Sequence, residues 1–549
     1  MPKYSIGIDY GTLSARAVLV DLSSGKECAE AVFPYPHAVM SEKFLDGTPL
    51  PPDFALQHPR DYLDALCEVI PAVIAAGGAK KEEIAGLGID FTSSTVIPVK
   101  ADGTPLCFDA RFKNNKHAYV KLWKHHAATP YAEKLTSLLQ GTKILENYGG
   151  SISNEFFFPK IAEIADHAPE VYDATDIFTE AGDFLTMTLT GARTMCSGVA
   201  GFKALYTEKE GFPSNDIFKA LNARLDGVIE NKIVKNIVAP GTCVGGVTEA
   251  WAETLGLCVG TPVSAALIDA HAAVPTAGIT DGNEMLLILG TSGVQMLMSD
   301  EPCPVEGICG MCRDGYIPGR YAYEAGQSCL GDHFDWFVKN ALPASYAEEA
   351  ASRGISPHVL LTEKASALRI GESGLLALDF FNGSRCIHSE SDLSGVILGM
   401  TLATRPEHIY RALIEATAFS TRYIVEQFIT GGVSVGNILV GGGIAEKNPL
   451  LMQIYADVTG RELRLVGTKQ APAVGSAIYG AVAGGVFPDV KSAAEVMAKR
   501  SDTVYRPIPE NSAAYEKLYR EYVTLCDYFG SGDNAVMARL KAFKLQALK

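Results

Sequence analysis

One short design occurs twice, at the start of the chain and again just past its middle, and it constrains the fold more than any other feature. Ile6-Gly7-Ile8-Asp9 reads as a strand, Tyr10-Gly11-Thr12-Leu13-Ser14 as a tight polar turn, and Ala17-Val18-Leu19-Val20-Asp21 as the returning strand. Met285-Leu286-Leu287-Ile288-Leu289, Gly290-Thr291-Ser292-Gly293 and Val294-Gln295-Met296-Leu297-Met298 repeat the arrangement. Each copy opens one half of the chain, so the pattern predicts two lobes of similar build. The length of 549 residues agrees, because a single core stops growing well below that size.

Two further apolar runs, Ile84-Ala85-Gly86-Leu87-Gly88-Ile89-Asp90 and Val263-Ser264-Ala265-Ala266-Leu267-Ile268-Asp269, read as strands that end on an aspartate. Strand ends are where open α/β sheets place ligand chemistry. Helical spacing marks Pro59 to Ala76 and Pro406 to Phe428. Gly441-Gly442-Gly443 follows the strand Ile438-Leu439-Val440, and Asn448-Pro449 opens a helix from Leu450 to Thr459. The lobe boundary is expected between residues 255 and 285, dividing the chain into 1–270 and 271–549.

Lys and Arg number 47 against 63 Asp and Glu, and the net charge of −16 disfavours a nucleic-acid or anionic-membrane partner. It leaves room for ATP, since a phosphate site needs only local donors. Neither a signal-peptide pattern nor a membrane-spanning apolar run is found, so a cytoplasmic protein is expected. The twelve cysteines lack framework spacing and read as free thiols of a reducing compartment. Cys309 and Cys312 have zinc-ligand spacing, with Cys303 nearby, but no second Cys or His pair follows. No zinc is expected there.

The chain holds neither a G-x-x-x-x-G-K-[ST] loop nor the glycine loop and H-R-D set of protein kinases. Phosphate can instead be held in hairpin turns, where glycines aim backbone N–H groups into a concavity and Thr or Ser hydroxyls add donors. Gly11-Thr12 and Gly290-Thr291-Ser292 both fit. Asp9, beside the first turn, is the natural anchor for Mg²⁺. The glycine triplet lets a base and ribose approach the backbone closely. Each feature also has a plainer reading. The turns can be ordinary hairpins, the triplet a helix-entry turn, and Asp269 a helix cap.

Taken together, Asp9-Tyr10-Gly11-Thr12, Gly290-Thr291-Ser292 and Gly441-Gly442-Gly443 resemble the two phosphate motifs and the adenosine motif of the actin-like ATPase superfamily. Within it the chain resembles the FGGY carbohydrate kinases, through Gly395-Val-Ile-Leu-Gly399-Met400 and His408-Ile409-Tyr-Arg-Ala412-Leu413-Ile414-Glu415. The N-terminal pattern around Pro159-Lys160 departs from that family: the expected tryptophan is absent and Glu163 stands nearby. Asp90-Phe91-Thr92, Ala200-Gly201-Phe202-Lys203-Ala204-Leu205, Tyr323-Glu324-Ala325-Gly326-Gln327-Ser328, Asn382-Gly383-Ser384-Arg385 and Met452-Gln453-Ile454-Tyr455-Ala456-Asp457 are most similar to the family's ribulokinase branch.

The resemblance implies an α/β fold of two actin-like (ribonuclease H-like) lobes with the active site in the cleft between them. It implies Mg²⁺ and ATP as donor, a sugar as acceptor, and L-ribulose as that sugar. Asp269 is then the general base, Ser93, Lys203, Asp269 and Glu324 contact the sugar, and Asp9 and Asp269 hold the metal. Gly11, Thr12, Gly290, Thr291, Ser292, Gly441, Gly442, Gly443 and Asn448 line the nucleotide. Lys203 and Glu324, from opposite halves, are expected to flank the sugar, their contacts with it made together only as sugar and MgATP close the lobes. His271 is expected to be a packed neighbour. Two other readings stay open: a sibling kinase for xylulose, ribitol or glycerol, and an actin-like chaperone or filament ATPase. Proteins of this build often self-associate, which leaves a homodimer open.

Overall fold

The computed structural model describes residues 2–547 apart from 389, 391, 531 and 533. Both hairpins read from the sequence form. Tyr4–Tyr10 pairs antiparallel with Ser14–Asp21, and Asn283–Leu289 with Gly293–Ser299. Each turn is closed by the N–H of its first glycine on a serine carbonyl, Gly11 to Ser14 O at 3.0 Å across four residues and Gly290 to Ser292 O at 3.0 Å across three.

Each hairpin nucleates a sheet of the same order. In the first, Glu27–Pro34, Ser14–Asp21 and Tyr4–Tyr10 run antiparallel, Ile84–Phe91 and Pro262–Ser264 continue in parallel, and Cys243–Gly246 closes the edge antiparallel. In the second, Tyr321–Gln327, Gly293–Ser299 and Asn283–Leu289 run antiparallel, Val435–Gly441 and Leu463–Val466 continue in parallel, and Arg500–Tyr505 closes the edge. Gly310–Arg313 adds one outer strand to the second sheet. The duplicated order gives the two lobes of similar build expected from the repeated hairpin and the actin-like architecture that the family resemblance implies. A four-stranded sheet of Leu56–Gln57, Val120–Lys121, Val96–Val99 and Ile177–Glu180 is inserted in the first half. Its strands are too short to stand out as periodic runs. No helix of the described residues is long and apolar enough to cross a membrane.

The run from Val263 to Asp269 departs from the single strand expected. Pro262–Ser264 and Leu267–Ile268 are separate short strands, both beside Ile84–Phe91, and Asp269 is the first residue of the helix Asp269–Thr276. That helix and Ala471–Ala483 fill a core to which both sheets contribute, including Val18 and Val20 from the first and Leu286, Met296 and Leu439 from the second. The contact is unusually close because it is glycine-mediated: a Cβ on Gly88 would lie 1.8 Å from Ser476 O, and one on Gly475 would lie 1.7 Å from Ala272 O.

Because the clash at Gly88 is with backbone rather than a movable side-chain tip, Gly88→Ala should destabilise the protein by about 3 kcal/mol or more. Urea unfolding followed by circular dichroism measures it, and a change near zero would mean that the helix can shift off the sheet at little cost.

Candidate active site

The parallel ladder assembles three carboxyl groups at one end of the first sheet. Asp9 lies beside Asp90, and Leu267 and Ile268 pair with Asp90 and Phe91, which delivers Asp269 to the same end. Ser476 Oγ, from the helix of the second half, donates to Asp90 Oδ2 at 2.6 Å. Burial, then the Asp9 carboxylate, raises Asp90 well above the usual range, and the same two causes push Asp269 up to about 7. Asp9 is raised by burial as well, with a hydrogen bond from Asp90 and the Arg16 charge opposing. Among the described residues no three His, Cys, Asp or Glu side chains form a cage for a metal. Mg²⁺ is commonly carried on one or two carboxylates plus substrate phosphates, and a pair such as Asp9 and Asp269 fits that mode of binding. Asp269 is not the side-chain cap of its helix: Ile268 occupies the cap position, and Asp269 Oδ1 accepts from Ala270 N–H at 2.7 Å.

Lys203, the last residue of the helix Ser197–Lys203, meets Glu324 of Tyr321–Gln327 from the other half. Lys203 Nζ lies 2.7 Å from Glu324 Oε1, and His271 Nε2 lies 2.8 Å from Glu324 Oε2. The two side chains expected to flank a sugar touch each other directly, an ion pair that their spacing in the sequence does not announce. Their side chains are 6% and 13% exposed, and charges so far from water need a partner within the protein. Burial alone would raise the Glu324 carboxyl, but Lys203, and His271 after it, outweigh burial and hold it well below the usual range. Asp269 feels both Glu324 and Lys203, which ties this pair to the carboxyl cluster. His271 is packed, as expected, between Phe202 and Tyr316, and in addition supports Glu324.

Ser93 sits in the turn after Ile84–Phe91 and shares a small cavity with Ile268, the residue before Asp269. Thr12 Oγ1 accepts from Trp123 Nε1 at 3.2 Å, and Thr12 O accepts from Gln57 Nε2 at 2.8 Å, so the first turn is held from the inserted region. In the second half, Ile288 pairs with Gly441, which sets the Gly290-Thr291-Ser292 turn beside the glycine triplet. The three glycines differ in kind. Gly442 has φ +99°, and a Cβ there would lie 2.2 Å from Leu289 O, so the fold itself requires glycine. A Cβ on Gly443 would meet nothing within 4 Å, and Gly443 rather than Gly442 is where a side chain would enter open space. Asn448 caps the helix Pro449–Thr459, its Oδ1 accepting from Leu451 N–H at 3.0 Å.

Sequence reasoning missed a second pair across the two halves: Arg385 Nη2 lies 3.3 Å from Glu155 Oε1, which His126 Nε2 also approaches to 3.3 Å. Arg385 ends one of the family-like stretches, but nothing in the spacing marks Glu155. Glu163, at the departure from the family pattern, is buried and pairs with Lys121 at 3.1 Å and His125 at 2.7 Å. Cys309 and Cys312 do not act together: Cys309 Sγ lies 3.3 Å from Cys386 Sγ, while Cys312 packs in the core between the sheets.

Comparison with known proteins gives a consistent picture. Residues 4–275 match the N-terminal domain and residues 285–484 the C-terminal domain of the FGGY family of carbohydrate kinases. The chain is 48% identical to a ribulokinase of Halalkalibacterium halodurans, covering 99% of this chain and 98% of that protein. It is 47% identical to a ribulokinase of Geobacillus thermodenitrificans, covering 99% and 97%. Among solved structures, a xylulose kinase of Rhodospirillum rubrum superposes with a TM-score of 0.79 at 22% identity over 95% of this chain and 98% of that one. A ligand-bound xylulose kinase of Lactobacillus acidophilus gives 0.80 at 18% identity over 97% and 100%. At such identities the structural likeness speaks for the fold.

Removing Lys203 leaves the buried Glu324 charge with His271 alone, so Lys203→Met should cost about 2–4 kcal/mol at neutral pH. Because Glu324 is held below its ordinary value of 4.5, its contribution is complete above that pH and is lost as the pH falls through it toward the folded value. The stability gap between the two proteins, from urea titrations at pH 7 and at points down to pH 4, should therefore shrink with acidification. A gap independent of pH would detach Glu324 from Lys203.

Proposed function

The chain belongs to the FGGY family of carbohydrate kinases, and from that premise we propose that this enzyme transfers the γ-phosphoryl group of ATP to the terminal hydroxyl of L-ribulose, giving L-ribulose 5-phosphate and ADP. The names of the relatives matched over nearly their full length support that sugar. The observation that carries the reading is Asp269, a partly accessible carboxyl at a sheet end, within the field of Asp9 on one side and Lys203 and Glu324 on the other.

Phosphoryl transfer needs positioning, charge neutralisation and a proton acceptor more than covalent help from the protein. Asp269 accepts the proton of the attacking hydroxyl. Its carboxyl, raised to about 7, is a stronger base than an ordinary aspartate and is still substantially ionised at neutral pH. Glu324 accepts from sugar hydroxyls and Lys203 donates to sugar oxygens, each giving up part of its contact with the other, while Ser93 borders the sugar from its turn. The N–H groups and hydroxyls of Gly11-Thr12 and Gly290-Thr291-Ser292 hold the phosphates, and the open side of Gly441 to Gly443 admits the adenosine, with Asn448 fixing the following helix. Asp9 and Asp269 would hold Mg²⁺, which when bound offsets the charge of the phosphates. The enzyme is proposed to work in the cytoplasm.

A coupled ADP-release assay across ketoses and polyols tests the substrate. L-Ribulose should give the highest kcat/KM, and a higher value for D-xylulose, ribitol or glycerol would overturn that choice. Rapid ATP hydrolysis without any sugar would favour a chaperone or filament ATPase. Asp269→Asn keeps the shape and removes the proton acceptor, so kcat should fall roughly 10²-fold or more. Retention of more than half the wild-type kcat would exclude Asp269 as the base. Gly443→Val should raise the KM for ATP and leave that for the sugar nearly unchanged, and a normal KM for ATP would place the nucleotide elsewhere.

A further inference from the structure

Lys160, from the stretch that departs from the family pattern, has no part in the chemistry above, and its environment is unusual for a lysine. It lies on the helix Phe157–His167 and is 0% exposed. Among the described residues no carboxylate forms an ion pair with it within 4.0 Å. Its ammonium instead donates to two backbone carbonyls, Ser94 O at 2.5 Å and Leu122 O at 2.9 Å. Burial pulls the Lys160 ammonium down to about 7, with the carboxylates of Glu180 and Glu155 opposing, and its donors are used on the main chain of two separate segments.

Both segments lead to the proposed substrates. Ser94 follows Ser93 in a turn that requires outside support. Its φ is +55°, a left-handed conformation that non-glycine residues adopt only where their surroundings over-determine it. The surroundings do so from several sides. Thr92 N–H donates to Tyr10 O at 3.1 Å, Thr95 Oγ1 to Thr92 O at 2.8 Å, and Thr95 N–H to Glu180 Oε2 at 2.6 Å. Only Lys160 takes up the Ser94 carbonyl itself among the described hydrogen bonds. Leu122 precedes Trp123, whose indole N–H holds Thr12 of the first phosphate turn.

We propose that Lys160 is a positioning residue for the phosphoryl acceptor: its ammonium pins the left-handed Ser94 turn, sets how Ser93 meets the sugar, and registers that turn against the Leu122-Trp123 segment behind Thr12. The proposal rests on the reading of Ser93 as a sugar contact. Without the clamp the turn relaxes toward ordinary backbone angles, and the sugar is held out of line with the phosphate. Small misplacements of that kind weaken reactivity far more than they weaken the fold.

Steady-state kinetics with L-ribulose and ATP, read beside melting temperature, test it. Lys160→Met should raise the sugar KM and lower kcat/KM for the sugar roughly tenfold or more, with the KM for ATP changed less than about twofold. Glycine adopts positive φ without strain, so Lys160→Met combined with Ser94→Gly, scored against Ser94→Gly alone, should recover a substantial part of the loss. An unchanged sugar KM in a folded Lys160→Met protein overturns the proposal, and so does a loss of the same size in the Ser94→Gly background. Should Lys160→Met not fold, Ser94→Val probes the same turn with the lysine in place. A β-branched residue resists positive φ, the sugar KM should rise, and an unchanged value again overturns the proposal. Ser93→Val separates the two layers. If it leaves the sugar KM unchanged, the contact reading fails and the proposal falls with it; if it raises the KM while Lys160→Met does not, only the role of Lys160 is lost.

Discussion

The structure depends on a backbone-to-backbone contact between the helix Ala471–Ala483 and the first sheet. The helix belongs to the second half of the chain, yet it packs on the strands Tyr4–Tyr10 and Ile84–Phe91, which makes the two halves share one core. Small residues make this possible: Gly7, Gly86 and Gly88 on the sheet face Ala473, Ser476, Ala477 and Gly480 on the helix. Polar groups pair across the contact, Ser5 Oγ donating to Ala477 O at 2.7 Å and Ser476 Oγ to Asp90 Oδ2 at 2.6 Å. A close apolar contact threaded by paired polar groups fixes register as well as proximity.

That register has electrostatic consequences. The sheet end beside the helix gathers Asp9, Asp90 and Asp269 in surroundings that hold little water, Asp90 fully buried and the other two partly, so each carboxyl is raised above its ordinary range. The opposite shift occurs a short way off, where Lys203 and His271 hold Glu324 low. One region therefore contains a carboxyl suited to accept a proton and another suited to stay ionised. Such divergence between neighbouring titratable groups is the usual physical basis for separate roles in acid–base chemistry.

Much of this was legible in the sequence because the decisive features are local. The two hairpins announce themselves through apolar runs interrupted by Gly, Thr and Ser, and the aspartates close their strands within the same window. Asp269 was found as the end of a strand, although the strand breaks at Ala265-Ala266 and the residue opens a helix instead. What could not be read is set by long-range packing. Lys203 and Glu324 are separated by 121 positions, and only the assembled core shows that they neutralise each other and recruit His271. Glycine presents the same difficulty: Gly441, Gly442 and Gly443 look alike in sequence, while the neighbouring Leu289 carbonyl makes one of them obligatory and leaves another open. In sequence Lys160 is marked only as part of the Pro159-Lys160 stretch that departs from the family pattern, and its burial against two carbonyls emerges only in three dimensions.

The account turns on a phosphoryl group leaving ATP for the hydroxyl on C5 of a ketopentose, and identification of the product tests it most directly. Incubating the protein with ATP, Mg²⁺ and ¹³C-labelled L-ribulose, and following ³¹P and ¹³C resonances together, reads both stoichiometry and position. The account predicts one sugar phosphate for each ADP formed, with phosphorus coupled to C5. ADP accumulating without sugar phosphate, or phosphorus coupled to any other carbon, would contradict it.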